Sequence, residues 1–75
     1  MPAHVYKKID LVGTSTTGVD DAIQTAVAKA AETLRGLDWF EVGQIRGRIE
    51  NGAVAEYQVD LKIGFRLMSH EELQA

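Results

Sequence analysis

From Ala53 to Leu67 nearly every second residue is apolar: Ala53, Ala55, Tyr57, Val59, Leu61, Ile63, Phe65 and Leu67. Between them stand Val54, Glu56, Gln58, Asp60, Lys62, Gly64 and Arg66. A period of two predicts a strand with one face on a core. A second strand is expected from Asp38 to Glu50. The Asn51-Gly52 pair between them is a strong hairpin signal, a type I′ turn with both central residues at positive φ. An earlier strand is expected from His4 to Val12. There Val5, Ile9 and Leu11 share one parity, interrupted by Lys7, while Tyr6, Lys8 and Asp10 take the other. Gly13 is expected to end it.

The period changes between the first two strands. Val19, Ala22, Ile23, Ala26, Val27, Ala30 and Leu34 follow the i, i+3, i+4, i+7 spacing of one helix face. The expected helix runs from about Gly18 to Arg35. Its stripe is rich in Ala, so a curved sheet wrapped over it comes close to its backbone. Ser15 or Thr17 can cap the first turn, Asp20 and Asp21 suit the positive end of the helix dipole, and Gly36 suits C′. Residues 69–75 are polar and are expected to form a loose tail. The pattern makes one α+β domain over residues 1–75, ordered from about 4 to 68: a β-α-β-β subunit with a three-stranded antiparallel sheet around one helix.

A strict two-residue loop at Asn51-Gly52 fixes a register. Phe40 then lies opposite Ile63 and Val42 opposite Leu61, both facing the helix. Trp39 lies opposite Gly64, on the face away from the helix. Ile45 falls opposite Gln58 and Ile49 opposite Val54, on that same outer face. Arg46 and Arg48 fall opposite Tyr57 and Ala55. A β-bulge near Gly43 or Gly47 shifts these pairs by one residue. One helix cannot cover both faces of such a sheet, so its outer apolar residues are an interface in waiting.

Length sharpens this point. A chain of 75 residues buries only about 60% of its unfolded surface. Such domains usually need a disulfide, a metal or oligomerisation. There is no Cys, and the two His, His4 and His70, lie near opposite ends of the chain and do not suggest a zinc site. Oligomerisation is what remains. The net charge of −3 argues against a sequence-independent grip on nucleic acid. No apolar run approaches the roughly 20 residues that span a bilayer, and the N-terminus lacks the apolar core of a signal peptide. A cytoplasmic protein with no membrane or nucleic-acid partner is expected.

The candidate chemistry centres on Trp39, the only Trp in the chain. It is either a core or interface anchor or a stacking platform for a planar ligand; the outward register favours the platform, with Gly64 leaving flat space over the strand. Gln58, in mid-strand, offers a donor and an acceptor side by side. This matches the edge of a uracil-like or flavin pyrimidine ring, or marks a solvated strand position. Arg46 and Arg48 can grip a phosphate through their guanidinium forks, or form ion pairs between subunits with Glu41, Glu50, Glu56 or Asp60. The Gly13–Gly18 segment lacks the Lys of a phosphate loop and reads as a turn and cap. No Ser–His–acid or Cys–His arrangement is evident, so a non-enzymatic role is expected.

Several motifs follow one another in a specific order: Val5-Tyr6-Lys7-Lys8, Val12-Gly13-Thr14-Ser15, the helix, Leu37-Asp38-Trp39-Phe40-Glu41-Val42, Ile45-Arg46-Gly47, Tyr57-Gln58-Val59 and Gly64-Phe65-Arg66-Leu67. In this order and spacing the chain resembles the dodecins, from about Val5 to Leu67. The resemblance implies twelve subunits in a hollow shell of cubic symmetry, a homododecamer. It implies flavins bound in antiparallel pairs at two-fold contacts, each pair held between two Trp side chains. Trp39 matches that Trp, Gln58 the Gln that hydrogen-bonds the isoalloxazine, and Arg46 an Arg near the flavin and its phosphate. Tyr6, Lys7 and Arg66 resemble positions tied to coenzyme A binding in some members. Many relatives have His or Thr where this chain has Arg48. The expected role is flavin storage and sequestration with photochemistry quenched. FMN is the first choice of ligand, because Arg46 and Arg48 can meet a phosphate, and riboflavin is second. The rivals are a coenzyme A-binding or purely structural shell and, behind them, a flavin-dependent oxidoreductase.

Overall fold

The computed structural model describes residues 3–68, so the tail expected at 69–75 lies outside the described residues. The element order is β1 (Tyr6–Ser15), α1 (Val19–Ala31), β2 (Leu37–Glu50) and β3 (Ala53–Arg66). The three strands form one antiparallel sheet in the order β1-β3-β2. The expected β-α-β-β architecture is the observed one. Both termini of the hairpin loop have positive φ, 52° at Asn51 and 75° at Gly52, as a type I′ turn requires.

The core lies between α1 and the central strand. Among the described residues, the buried apolar side chains are Ala22, Ala26 and Ala30 on the helix and Val59, Leu61 and Ile63 on β3. Ile9, Leu11, Val19, Ile23, Val27, Leu34 and Leu37 pack around them. The three alanines, four residues apart, form one stripe. A side chain at Gly13 would meet the Ala22 carbonyl oxygen at 2.2 Å. The helix backbone therefore rests directly on the β1 backbone, as the small-residue stripe allows. This contact also explains why β1 does not stop at Gly13. Gly13 pairs with Val59 inside the ladder and the strand continues to Ser15.

Two further boundaries differ from expectation. The helix ends at Ala31 rather than Arg35. Its last turn tightens to bonds from Glu32 N–H to the Lys29 carbonyl and from Thr33 N–H to the Ala30 carbonyl. Gly36 is thus not the C′ residue of the helix. Its φ of 73° serves the turn into β2, where its carbonyl accepts the Arg66 N–H at 3.0 Å. At the helix start the N-cap residue is Gly18, without a side-chain cap bond, so neither Ser15 nor Thr17 caps it. Ser15 acts one step earlier. Its Oγ accepts the N–H groups of Thr17 and Gly18 and donates to Asp21 at 2.7 Å, tying strand end, turn and first helical turn together.

The β2–β3 register holds as expected from Trp39 to Val42 and at the hairpin tip, but not between, and it shifts again between Leu37 and Trp39. Phe40 pairs with Ile63, Val42 with Leu61, Trp39 with Gly64 and Ile49 with Val54. β2 gains one residue between Val42 and Ile45, and β3 gains one opposite the Arg48–Ile49 step. Between these bulges the pairs are Ile45 with Val59, Arg46 with Gln58, Gly47 with Tyr57 and Arg48 with Glu56. Ile45 therefore shares the side of the buried Val59, and Arg46 and Arg48 come to the outer face. The strict two-residue register had them the other way round. Gly47 is suited to this segment, since a side chain there would meet the Glu56 carbonyl at 2.7 Å.

The protomer is elongated, 56 × 20 × 14 Å, with a radius of gyration of 15.5 Å. A compact chain of this length has a radius of gyration near 11 Å. Its accessible surface is 5555 Å², against about 4,500 Å² for a compact monomer. Phe40, Val42, Ile45, Ile49, Val54 and Val12 are all exposed. The hairpin reaches beyond what one helix covers, leaving apolar surface for other chains to bury.

Candidate functional site

The outer face of the sheet carries two groups of side chains. The first is built around Trp39. In the ladder Lys8, Gly64 and Trp39 lie side by side on β1, β3 and β2. Gly64 has no side chain, and Trp39 fills the space above it. An added Cβ at Gly64 would fall 2.3 Å from the indole carbons Cε2 and Cζ2. The expectation that Gly64 leaves a flat space over the strand is thus corrected: the indole itself lies there. One ring face rests on the strand, and the side chain stays partly exposed at 37%.

Two neighbours hold the indole at its edges. The Tyr6 ring meets it edge-on, with centroids 5.3 Å apart and planes at 61°. The Trp39 Nε1–H donates to Glu41 Oε2 at 2.9 Å. Lys8 Nζ approaches the same carboxylate, 3.3 Å from Oε2 and 3.5 Å from Oε1. Lys62 lies directly across the ladder from Glu41. The indole hydrogen bond, and then Lys8, hold the Glu41 carboxyl below its usual range. Lys62 in turn donates to Asp10 at 2.7 Å, which raises its own pKa.

The second group surrounds Gln58. Arg46 Nε donates to Gln58 Oε1 at 2.9 Å, and Arg46 Nη1 to Asp60 Oδ2 at 2.9 Å. The bond to Asp60 raises the Arg46 pKa. Gln58 Nε2 donates to Glu56 Oε1 at 2.8 Å. An amide has two N–H donors and two lone pairs, so one of each remains for a ligand edge. Arg48 is held by Glu50. Between the two groups lies a depression of about 480 Å³, lined by Asp10, Val12, Glu41, Gln44, Asp60 and Lys62 among others.

The sequence-predicted residues are therefore sorted as follows. Trp39, Gln58, Arg46 and Arg48 share the outer face, Arg46 and Arg48 only because of the bulges. Trp39 and Gln58 stand six residues apart along β3, from Gly64 to Gln58, or about 20 Å. Tyr6 is brought to Trp39, and Arg66 pairs with Tyr6 across the ladder, its Nη1 lying 3.1 Å from His4 Nδ1. Lys7 pairs with Phe65, on the other face from Tyr6 and Arg66. Sequence reading missed Glu41 as the partner of the indole and Lys8 as the partner of Glu41. The signal available was the i, i+2 spacing of Trp39 and Glu41, which puts both on one face of a strand. No group of three or more possible metal ligands occurs among the described residues. No helix there is long and apolar enough to cross a membrane.

An antiparallel β-α-β-β protomer with an exposed apolar hairpin and an aromatic side chain on the outer sheet face places the chain among small α+β proteins built as one helix against one three-stranded sheet. Within that class the chain belongs to the dodecin family, whose sequence model matches residues 5–68. It is 62% identical over 63 residues to a dodecin from Thermus thermophilus, covering 84% of this chain and 91% of that protein. A dodecin structure from Streptomyces coelicolor superposes with a TM-score of 0.88 at 56% identity, covering 92% of this chain and 99% of that one. A calcium-binding dodecin from Mycobacterium tuberculosis gives a TM-score of 0.76 at 26% identity, covering 88% of this chain and 94% of that one.

Proposed function

We propose that this protein is a non-catalytic flavin binder that stores and sequesters its ligand in a hollow homododecamer. The carrying observation is the Trp39 indole, pressed flat on Gly64 with its N–H already bound by Glu41. Such a side chain offers a ligand a ring face and little else. A planar, electron-poor ring system is the natural guest for it. Membership of the dodecin family supports flavin as that guest and twelve subunits as the assembly. The exposed apolar surface and drawn-out shape of the protomer support association of copies.

In this reading flavins stack in pairs between Trp39 side chains at two-fold contacts. Stacked indoles quench flavin photochemistry, and covering both ring faces leaves no room for a second substrate. This disfavours an oxidoreductase. The separation of about 20 Å between Trp39 and Gln58 means that each flavin takes its Trp and its Gln from different chains. Gln58 supplies the donor–acceptor edge. Arg46 and Arg48, brought to the outer face by the bulges, meet a ligand phosphate, which favours FMN over riboflavin. The rival assignment, coenzyme A at Tyr6, Lys7 and Arg66, divides those residues between two faces of one sheet.

The test is a flavin fluorescence titration of the purified protein and of Trp39→Ala, with assembly followed by native mass. Quenching that saturates near one flavin per chain, and is lost in the variant on an intact particle, supports the storage role. No quenching by FMN or riboflavin on an intact particle refutes it and directs attention to coenzyme A or a purely structural shell.

A further inference from the structure

We propose that Glu41 is a positioning residue for ligand binding, locking the Trp39 indole in one orientation so that a planar ring meets a fixed face. The nature of that ring rests on the flavin reading above. The orientation of the indole does not.

Three contacts bear on the indole, and they are not equivalent. Gly64 supports the ring from beneath, and Tyr6 closes one edge. Both contacts are apolar and carry little directional preference. The bond from Nε1 to Glu41 is directional and fixes which edge of this asymmetric ring faces the carboxylate. Glu41 can make it because residues i and i+2 of a strand project to the same side. The carboxylate is itself restrained. Lys8, on the far side of Gly64 in the ladder, approaches both of its oxygens, and Lys62 stands opposite on β3. The lowered pKa of Glu41 is the electrostatic counterpart of this geometry, since a charged acceptor strengthens the bond.

Two consequences follow for the ligand. A platform ordered before the guest arrives loses less freedom on binding, so Glu41 raises affinity without touching the ligand. Because Glu41 takes the only indole N–H, Trp39 selects guests by planarity rather than by a hydrogen-bond acceptor.

The experiment uses the assembled full-length protein, with assembly checked by native mass, and compares Glu41→Ala, Glu41→Gln and Glu41→Met. Trp39 is the only Trp, so emission and anisotropy of the flavin-free protein report the indole directly. Riboflavin, which has no phosphate, is the titrant. In Glu41→Ala the emission should move, the anisotropy should fall, and riboflavin should bind roughly tenfold or more weakly, as loss of a hydrogen bond to a charged group predicts. Glu41→Gln keeps an acceptor and should recover most of both signals, which a role in bulk packing alone would not produce. Glu41→Met fills the same space without a carboxylate and should behave like Glu41→Ala; it carries the test if the alanine variant does not assemble. Wild-type emission, anisotropy and riboflavin affinity in an assembled Glu41→Ala or Glu41→Met particle would overturn the proposal. If the wild-type protein binds no riboflavin, the flavin reading fails, and the emission and anisotropy of the flavin-free variants still decide whether Glu41 orients the indole.

Discussion

Arg46 reaches Gln58 because β2 carries one residue more than β3 between Val42 and Ile45. In a ladder that ran straight through without this bulge, Arg46 would pair with Tyr57 on the helix side of the sheet. With it, the Arg46 guanidinium meets both Gln58 and Asp60 on the outer face. If the guanidinium fork meets the ligand phosphate as proposed, Arg46→Ala should weaken FMN by about tenfold while changing riboflavin by no more than about twofold. Paired titrations on the assembled variant check this. Equal losses for both ligands would assign Arg46 to the ring rather than the phosphate.

Gly64→Ala places a methyl group where the indole lies, 2.3 Å from two of its carbons. The ring must lift or swing away, an overpacking cost of about 1–3 kcal/mol. The expected result is a red shift of Trp39 emission in the flavin-free protein and loss of most riboflavin quenching. Steady-state emission and the same titration read both.

Gly13→Ala tests the close approach of helix to sheet. Its new Cβ would sit 2.2 Å from the Ala22 carbonyl oxygen, a backbone atom that moves only with the helix. A destabilisation of about 1–3 kcal/mol is expected, measured as a fall in Tm at fixed protein concentration. Wild-type Tm would mean that α1 can shift without loosening the core.

Ser15→Ala removes the acceptor for two backbone N–H groups and the donor to Asp21 at a buried position. Leaving such groups unpaired costs about 1–3 kcal/mol. Ser15→Thr keeps the hydroxyl and should lie closer to wild type in a denaturant titration.

The pH dependence of the platform has a definite sign. Glu41 has its pKa lowered from 4.5 by the Trp39 hydrogen bond and then by Lys8. A depressed carboxyl stabilises the arrangement above its unfolded value, and this support disappears as pH falls through the lower folded value. Lys8 and Lys62 are the cationic side chains that face it, and the bond to Asp10 raises the Lys62 pKa. Trp39 emission of the flavin-free protein should be constant from neutrality to about pH 5 and change only at lower pH. Glu41→Gln should lack that transition.

Legibility in the sequence followed how local each cause was. The alternation from Ala53 to Leu67, the alanine stripe and Asn51-Gly52 are local signals, and each gave the observed element. The bulges are not local. They depend on how β2 bends against β3, and sequence alone could offer only Gly43 or Gly47 as places for one. The helix end was misplaced for a similar reason: Leu34 continues the apolar stripe and packs on the core, but does so after the helical backbone has ended. Trp39 was singled out because it is unique in the chain, and the pairing with Gly64 that its register implied is the observed one. Glu41 was read only as a candidate ion-pair partner for an arginine, because a carboxylate on a strand gives by itself no sequence signal of a contact with the indole. Its role depends on the glycine opposite Trp39, which lets the indole lie down within reach of the carboxylate.

The drawn-out shape of the protomer has a consequence for abundance. A chain whose apolar hairpin is covered only by other copies folds and associates in one linked equilibrium, so its melting temperature climbs with total concentration. In the proposed storage role its capacity to hold a guest then rises more steeply than the number of chains. Sparse chains carry platforms with nothing facing them, and each further copy both adds a platform and supplies the surface that completes another.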